Sequence, residues 1–575
     1  MPAQHRSRGG STVNAQPSGS ALTQLTSKTL TIAQLFSQEY FFRVPEYQRP
    51  FSWDADNLRD LIDDLMTARR DADYFLGTLV LHNTHGHDYD IVDGQQRLTA
   101  LCILLACIRD LPCIKHDDQI RTEIQEKIQQ PRKRIEKVPA RHRLVVRDTS
   151  VFNGMVIAVN GTEDHAVLTK PTPIEQRYLL ARDIFQERLA PIGEDEVLQL
   201  LEFIYNRCVI IFLAAAEFAQ AFRLFTVVND RGKQLRRIDI LKANNIDPAL
   251  IPDDETRKRY AQEWETMENN LGEKDFEELF HLMRLIFVKD KPQHDLVKEF
   301  ENRIFNKPGF PTAGRRFIDE LAVYVKLYDE LFISRDFLEN DEDSTKFNIM
   351  MSAMVANFNA SEWQACVLAY AKKFGKERIY EFVLALEKVY LTHWVAGMRK
   401  DERYSVYTDL LRAIDSSPSP EAAFDTAKDR SDTGAIQDAC LVDNFYSVGY
   451  CKYLLLRAEF SAGENHAIRE FTVRSIEHVL PQNPKPGSEW FQWFTRSQAS
   501  AVVNKAGNLV LLSKGKNSSA SNKEFSEKKV AYLNPRVSDF PRSVQVLNYS
   551  AWTKDIIEQR TADFSKLVIQ DPWQQ

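Results

Sequence analysis

The chain has 575 residues, 43% of them hydrophobic and 27% charged, with a formal net charge of −7. A length of this order holds roughly two to four domains, and the balance of apolar and charged residues excludes a wholly disordered chain. It also excludes a basic surface spread over the whole molecule, so any nucleic-acid-binding surface has to be local.

Residues 1–25 are rich in Ser, Gly, Gln and Ala and have no apolar core. They read as a disordered tail and not as a signal peptide. The longest apolar runs, Leu98–Ile108 and Cys208–Ala216, are too short to span a bilayer, so no membrane partner is expected. Seven Cys stand at 102, 107, 113, 208, 366, 440 and 451, none in a Cys-x-x-Cys pair. Neither a zinc knuckle nor a disulfide framework follows from that spacing; free thiols in a reducing cytoplasm do.

The first ordered block runs from about Leu30 to Asn245. Ile32–Phe36 reads as a short helical turn, and Phe42–Trp53 as a strand or extended loop broken by Pro45 and Pro50. A helix is expected from Asp54 to Arg70, with Asp54 as N-cap and Leu58, Leu61, Ile62 and Leu65 on one face. Phe75–His82 and Tyr89–Val92 read as strands joined through Gly86. His82, His85 and His87 lie in that hairpin without further ligand spacing, and a surface loop accounts for them.

Asp93-Gly94-Gln95-Gln96-Arg97 follows the second strand and opens an apolar helix, Leu98–Ile108. Gly94 permits a tight turn, the N–H groups of the following helix favour an anion, and Arg97 can fork onto phosphate oxygens. Gln95 and Gln96 can orient a water or a base edge. The same residues also suit a plain helix cap that only satisfies backbone groups. Further on, Val209–Ala215 reads as a buried strand and Ala219–Val228 as a helix. A polar turn with Asn229, Arg231 and Gly232 comes before another helix from Ile238.

The middle, about Asp247–Asn444, shows helical spacing at Phe276–Val288, Phe317–Phe332 and Ile379–Val395, with no repeat period. It reads as a helical connector. Near the C-terminus come Ile476-Glu477-His478-Val479-Leu480-Pro481-Gln482, then Gly507-Asn508-Leu509, then Asn517 to Lys523. This order suggests a metal-dependent phosphodiester-cutting site of the HNH, or ββα-metal, kind. A His beside a carboxylate can deprotonate water. The carboxylate and a downstream amide oxygen can hold one divalent ion, Mg²⁺ or Mn²⁺, against a scissile phosphate. On this reading His478 is the general base, Glu477 and Asn517 are metal ligands, Asn508 braces the catalytic loop, and Lys523 reaches phosphate. Glu477 stands where many such sites carry Asp.

With these motifs in hand, Leu30–Asn245 resembles the ParB-like N-terminal domain of GmrSD-type modification-dependent restriction enzymes. The resemblance rests on Val44–Trp53, Phe75-Leu76-Gly77, Val92–Leu101 and Phe225–Asn244. Residues of about 443–567 resemble the HNH domain of the same family. The resemblance implies a multidomain α+β chain: a tail over 1–25, a ParB-like α/β domain over 26–246, a helical connector over 247–442 and an HNH domain over 443–575. It implies binding and hydrolysis of a nucleoside triphosphate, GTP foremost, through Asp93, Gly94, Gln95, Gln96 and Arg97, with Tyr47, Gln48 and Arg49 as sensing neighbours. It implies modified DNA as partner, with sugar-modified bases or a phosphorothioate backbone, and DNA-modification proteins beside it. Tyr47 also suits a core aromatic, and Arg49 an ion-pair partner.

Local charge adds two basic stretches. Arg121–Arg147 carries nine Lys and Arg against three Glu, and Lys505–Lys529 six Lys against two Glu. Either can neutralise phosphates or be a solvated face. One HNH site cuts one strand at a time, so a double-strand break needs a homo-oligomer or repeated nicking. Two other readings stand beside the nuclease: a nucleotide-controlled DNA-binding sensor with an inactive HNH domain, and a toxin-like nuclease that senses no modification. A nicking assay separates the first, and a comparison of modified with unmodified DNA the second.

Overall fold

A computed structural model describes residues 25–68, 70–147, 149–163, 171–228, 236–305, 307–339, 343–462, 475–533 and 540–572. The expected tail, apart from Leu25, and the turn at Asn229, Arg231 and Gly232 lie outside the described residues. The chain forms two compact units, one ending at Ala261 and the other beginning at Gln262.

The first unit is built on a mixed six-stranded sheet. Its strands are β1 (Leu25–Thr31), β2 (Phe41–Arg43), β3 (Tyr74–His85), β4 (Asp88–Asp93), β7 (Leu144–Val145) and β8 (Cys208–Ala215), in the order β1-β8-β3-β4-β2-β7. Between β4 and β7 in sequence, β5 (Gln129–Gln130) and β6 (Arg141–His142) make a separate two-stranded ladder. The pairs β1·β8 and β3·β4 are antiparallel; β3·β8, β2·β4 and β2·β7 are parallel. In β8, Cys208, Ile210, Phe212 and Ala214 are buried, which is the alternation a pleated strand imposes.

The helix Gln95–Arg109 buries nearly its whole circumference, as the unbroken apolar run Ala100–Ile108 requires. The helix Ala55–Thr67 starts where expected. The Asp54 carboxylate accepts from the backbone N–H groups of Asp56 and Asn57, and Leu58, Leu61, Ile62 and Leu65 face the core. Of the expected extended segment 42–53, only Phe42 and Arg43 fall in a strand.

The second unit is mostly helical. The expected helices appear as Glu273–Val288, Arg315–Tyr328 and Ile379–Val395. The C-terminal motifs sit in the same unit, on a two-stranded antiparallel ladder of β9 (Ser475–His478) and β10 (Leu509–Leu512). Its register sets Leu509 opposite His478 and Val510 opposite Glu477. The helix Lys514–Ala520 follows, and Val479, Leu480, Trp490, Phe525 and Trp552 form the core beneath. Together the units make a mixed α/β chain that is mostly helical. Among the described residues, no helix is long and apolar enough to cross a membrane.

Candidate functional site

Two constellations gather the residues singled out by the sequence, one in each unit. In the first, β4 ends at Asp93 and the chain turns through Gly94, whose φ is +94°. The turn demands glycine, and a Cβ at Gly94 would also have to displace the end of the Leu79 side chain, 2.9 Å away at Cδ1. Gly77 on β3 also has positive φ, +107°, and a Cβ there would stand 2.9 Å from the Arg97 guanidinium. Arg97 thus lies flat over the Gly77 backbone, with Nη1 donating to the Thr78 carbonyl at 3.2 Å. Burial holds Arg97 below its ordinary value, opposed by Asp93, and burial raises Asp93 against the pull of the Gly94 N–H and Arg97. Arg97 also lines a cleft of about 220 Å³ with Trp53, Asn57, Asp60, Tyr74 and Phe75.

The glutamines of this junction fasten the Tyr47–Ser52 segment. Gln95 Nε2 donates to the Arg49 carbonyl at 2.5 Å, and Gln96 Nε2 to the Pro50 carbonyl at 3.0 Å. The Ser52 N–H donates to Gln96 Oε1 at 2.8 Å, and Gln48 Nε2 to the Val92 carbonyl at 2.6 Å. Arg49 pairs with Asp239 at 2.9 Å, and Asp239 also holds Arg236 at 2.9 Å. Tyr47 is buried in a small core with Val80, Val92, Ala215 and Phe222, its ring edge-on to Phe218 at 5.2 Å. Its hydroxyl is buried and finds no partner among the described residues.

In the second constellation, Glu477 and His478 are neighbours on β9, so the pleat sends their side chains to opposite faces. The Glu477 carboxylate is buried, and its Oε1 accepts from Lys528 Nζ at 2.6 Å and from the Tyr532 hydroxyl at 3.3 Å. Lys528 is fully enclosed and donates also to the His478 carbonyl at 2.7 Å. Desolvation raises Glu477 and lowers Lys528, and each pulls the other back toward its charged form.

The His478 ring meets another set of groups. Its Nε2 lies 3.1 Å from Asn504 Oδ1, which also accepts from Gln482 Nε2 at 3.2 Å. Tyr446 stands edge-on over the ring at 4.5 Å, and its backbone N–H donates to the Asn504 carbonyl at 3.1 Å. With an amide oxygen facing Nε2, that nitrogen carries the proton and Nδ1 keeps the lone pair. Burial pushes the imidazole down to about 4, so the ring is neutral at neutral pH.

Asn508 is buried and uses its whole amide. Oδ1 accepts from the Leu480 N–H at 2.8 Å and from Trp552 Nε1 at 3.0 Å; Nδ2 donates to the carbonyls of Leu480 at 2.9 Å and Val503 at 2.7 Å. It fastens the Val479–Pro481 turn to the start of β10. Asn517 Nδ2 donates to Ser475 Oγ and to the Ile476 carbonyl at 3.1 Å, which leaves its amide oxygen as a donor of electron pairs. Lys523 is exposed.

Among the described residues, no three or more of His, Cys, Asp and Glu gather to hold a metal. Mg²⁺ or Mn²⁺ would need only one or two protein oxygens and would complete their shell with water and phosphate. Of the two residues expected to hold the ion, Glu477 has its Oε1 engaged by Lys528 and Tyr532, and Asn517 has an amide oxygen. Lys528, Tyr532 and Asn504 escaped the sequence reading. Lys528 was visible only as one cation in a basic stretch, and Asn504 carried no signal beyond preceding Gly507-Asn508.

The family model described as GmrSD restriction endonuclease, N-terminal domain, matches residues 32–246. The one described as GmrSD restriction endonucleases, C-terminal domain, matches residues 431–567. Together they cover more than half of the chain, and each contains one of the two constellations. A comparison with curated proteins gave no match.

Proposed function

The chain belongs to the GmrSD restriction endonuclease family, a nuclease family that acts on DNA, and from that premise we propose an NTP-regulated, modification-sensing endonuclease of anti-phage defence. It works in the cytoplasm and nicks or cuts DNA by HNH-type hydrolysis of a phosphodiester. Residues 443–575 form the HNH domain, 26–246 the ParB-like domain that binds nucleotide and senses modification, and 247–442 the helical connector.

The observation that carries the reading is the setting of His478. Its ring is neutral, its Nε2 proton is held by Asn504, and Nδ1 is left to accept a proton from water. Gln482 fixes the Asn504 amide, so both are positioning residues. Glu477 and Asn517 would hold Mg²⁺ or Mn²⁺, which supplies charge neutralisation at the phosphate when bound. Lys528 pulls the Glu477 carboxylate toward its charged form against the cost of burial. Asn508 keeps the Val479–Pro481 turn in register with β10, and Lys523 is free in solvent to meet a phosphate.

In the N-terminal unit, support comes from the buried Asp93–Arg97 arrangement at the opening of a helix. There, backbone N–H groups and a guanidinium can face the phosphates of a triphosphate, GTP foremost. Gln48, Arg49, Gln95 and Gln96 tie the Tyr47–Ser52 segment to this junction, so occupancy here can be felt by that segment.

The test offers purified protein plasmid DNA that is unmodified, glucosylated at hydroxymethylcytosine, or phosphorothioated, with Mg²⁺ and with or without GTP. Nicking that depends on a modification and changes with GTP is expected. Equal nicking of all three DNAs would leave a nuclease without sensing, and binding without nicking would leave a sensor.

A further inference from the structure

Apart from Arg147, whose guanidinium donates to the Gln48 carbonyl at 2.8 Å, the basic stretch between Arg121 and Arg147 is not used by either constellation, and its structure gives it a shape. From Gln129 to His142 the chain runs out and back as a two-stranded ribbon. Gln129 pairs with His142 and Gln130 with Arg141. Nearer the tip, the Lys133 N–H donates to the Val138 carbonyl and the Val138 N–H to the Lys133 carbonyl, both at 3.0 Å. Gln130 Nε2 braces the returning strand through the Pro139 carbonyl at 3.0 Å. At its base the ribbon is anchored by Arg141, which pairs with Asp88 and lies 3.9 Å above the Phe41 ring.

The tip between Pro131 and Val138 is built from Arg132, Lys133, Arg134, Ile135, Glu136 and Lys137. Lys133 is partnered by Glu136 at 3.3 Å. Arg132, Arg134 and Lys137 are exposed, and no carboxylate among the described residues pairs with them. Between them Ile135 is 99% exposed, the most exposed large apolar side chain among the described residues. Three unpaired cations on a chain whose net charge is −7 make a local positive point on an acidic molecule. An apolar side chain at the apex contributes nothing to the core below it.

We propose that this ribbon is a DNA-contacting finger: Arg132, Arg134 and Lys137 sit on the phosphates that flank a groove of duplex DNA, and Ile135 enters the groove as an apolar wedge against the base edges. A two-stranded ribbon is narrow enough to enter the major groove of a duplex, and cations on it can reach the phosphates alongside. A single aliphatic side chain between them is the kind of group that proteins push against or between base steps. The proposal rests on the reading of the chain as a nuclease acting on DNA, and it locates one contact to that substrate in the N-terminal unit.

The test measures binding of the full chain to a fluorescent 30-base-pair duplex in EDTA, where no cleavage occurs, across a salt series. In the variant Arg132→Gln/Arg134→Gln/Lys137→Asn, three lost phosphate contacts are expected to flatten the slope of log K against log salt by about 2.7, at about 0.9 per contact. Ile135→Ser is expected to weaken binding several-fold with the slope unchanged and to reduce DNA bending read by energy transfer between the duplex ends. All four positions are exposed, so both variants should melt as the wild type does. Either variant binding as the wild type does overturns the finger while leaving the nuclease reading intact. Wild-type protein that binds anionic lipid vesicles but no duplex overturns both.

Discussion

The junction at Gly94 and the strand end at His478 each bring a polar motif to the end of a buried strand, yet they hold it by different means. At Gly94 the means is backbone: two glycines at positive φ, a guanidinium laid over one of them, and two glutamine amides spent on the carbonyls of Arg49 and Pro50. At His478 the means is side-chain chemistry among buried residues: a Lys–Glu pair on one face of β9, and an imidazole fixed by an amide on the other. The first arrangement should be sensitive to added volume and the second to lost charge. The difference also separates roles. Gln95 and Gln96 fasten a neighbouring segment, whereas Asn504 leaves His478 a free nitrogen.

The largest expected effect breaks the chemical side of the comparison. His478→Ala should lower Mg²⁺-dependent nicking about 10²–10⁴-fold, the usual cost of losing a general base, with nucleotide binding retained. Near-normal nicking of plasmid by this variant would remove His478 from the reaction.

Next comes the pair behind it. Lys528→Met strands the buried Glu477 carboxylate, and breaking a buried pair from one side costs about 3–5 kcal/mol. Denaturant unfolding should show that loss, and Lys528→Met/Glu477→Gln should regain much of it. A single variant as stable as the wild type would show that the pair is not buried.

The backbone side is sharpened by two variants that should agree. Arg97→Ala removes charge-assisted bonds of about 1.5–3 kcal/mol, enough to weaken triphosphate binding roughly ten- to a hundredfold. Gly77→Ala leaves Arg97 in the chain but places a methyl 2.9 Å from its guanidinium, on a residue at φ +107°. It should weaken binding in the same direction, with nicking chemistry retained in both. Titration calorimetry with GTP reads this. Full affinity in Gly77→Ala would mean that Arg97 does not need its place over the β3 backbone.

The smallest effect is a pH dependence. His478 is held near 4 in the folded chain by burial, below its ordinary 6.5. A base depressed in the folded state is protonated first in the unfolded state. Stability therefore falls as pH drops through 6.5 and stops falling near 4. Between pH 7 and 5.5 the loss assigned to His478 is about 1 kcal/mol. His393, also held at about 4, adds a slope of its own. The measurement is thus the difference between wild type and His478→Gln, which should lack the His478 share. Identical pH slopes would place the His478 ring in solvent.

Much of the fold was legible because it rests on local pattern. The Asp54 cap, the Leu58–Leu65 stripe, the strand–Gly94–helix junction and the helices at 273–288 and 379–395 follow from periodicity, capping and the freedom of glycine. Strand β1, Leu25–Thr31, was not legible. Its Thr, Ser and Lys resemble a tail, and only pairing with β8 makes it a strand. The roles within each constellation were legible as residue types but not as partners. Sequence by itself placed Glu477 beside His478. The tertiary structure decided that the pleat sends them apart, that Lys528 and Tyr532 meet the carboxylate, and that Asn504 meets the ring. The physical reason is range. Caps, turns and amphipathic faces are fixed by residues within a few positions of one another. The partner of a buried charge is fixed by which distant segments the core brings together, and here those segments lie 51 residues apart for Glu477 and Lys528 and 26 for His478 and Asn504.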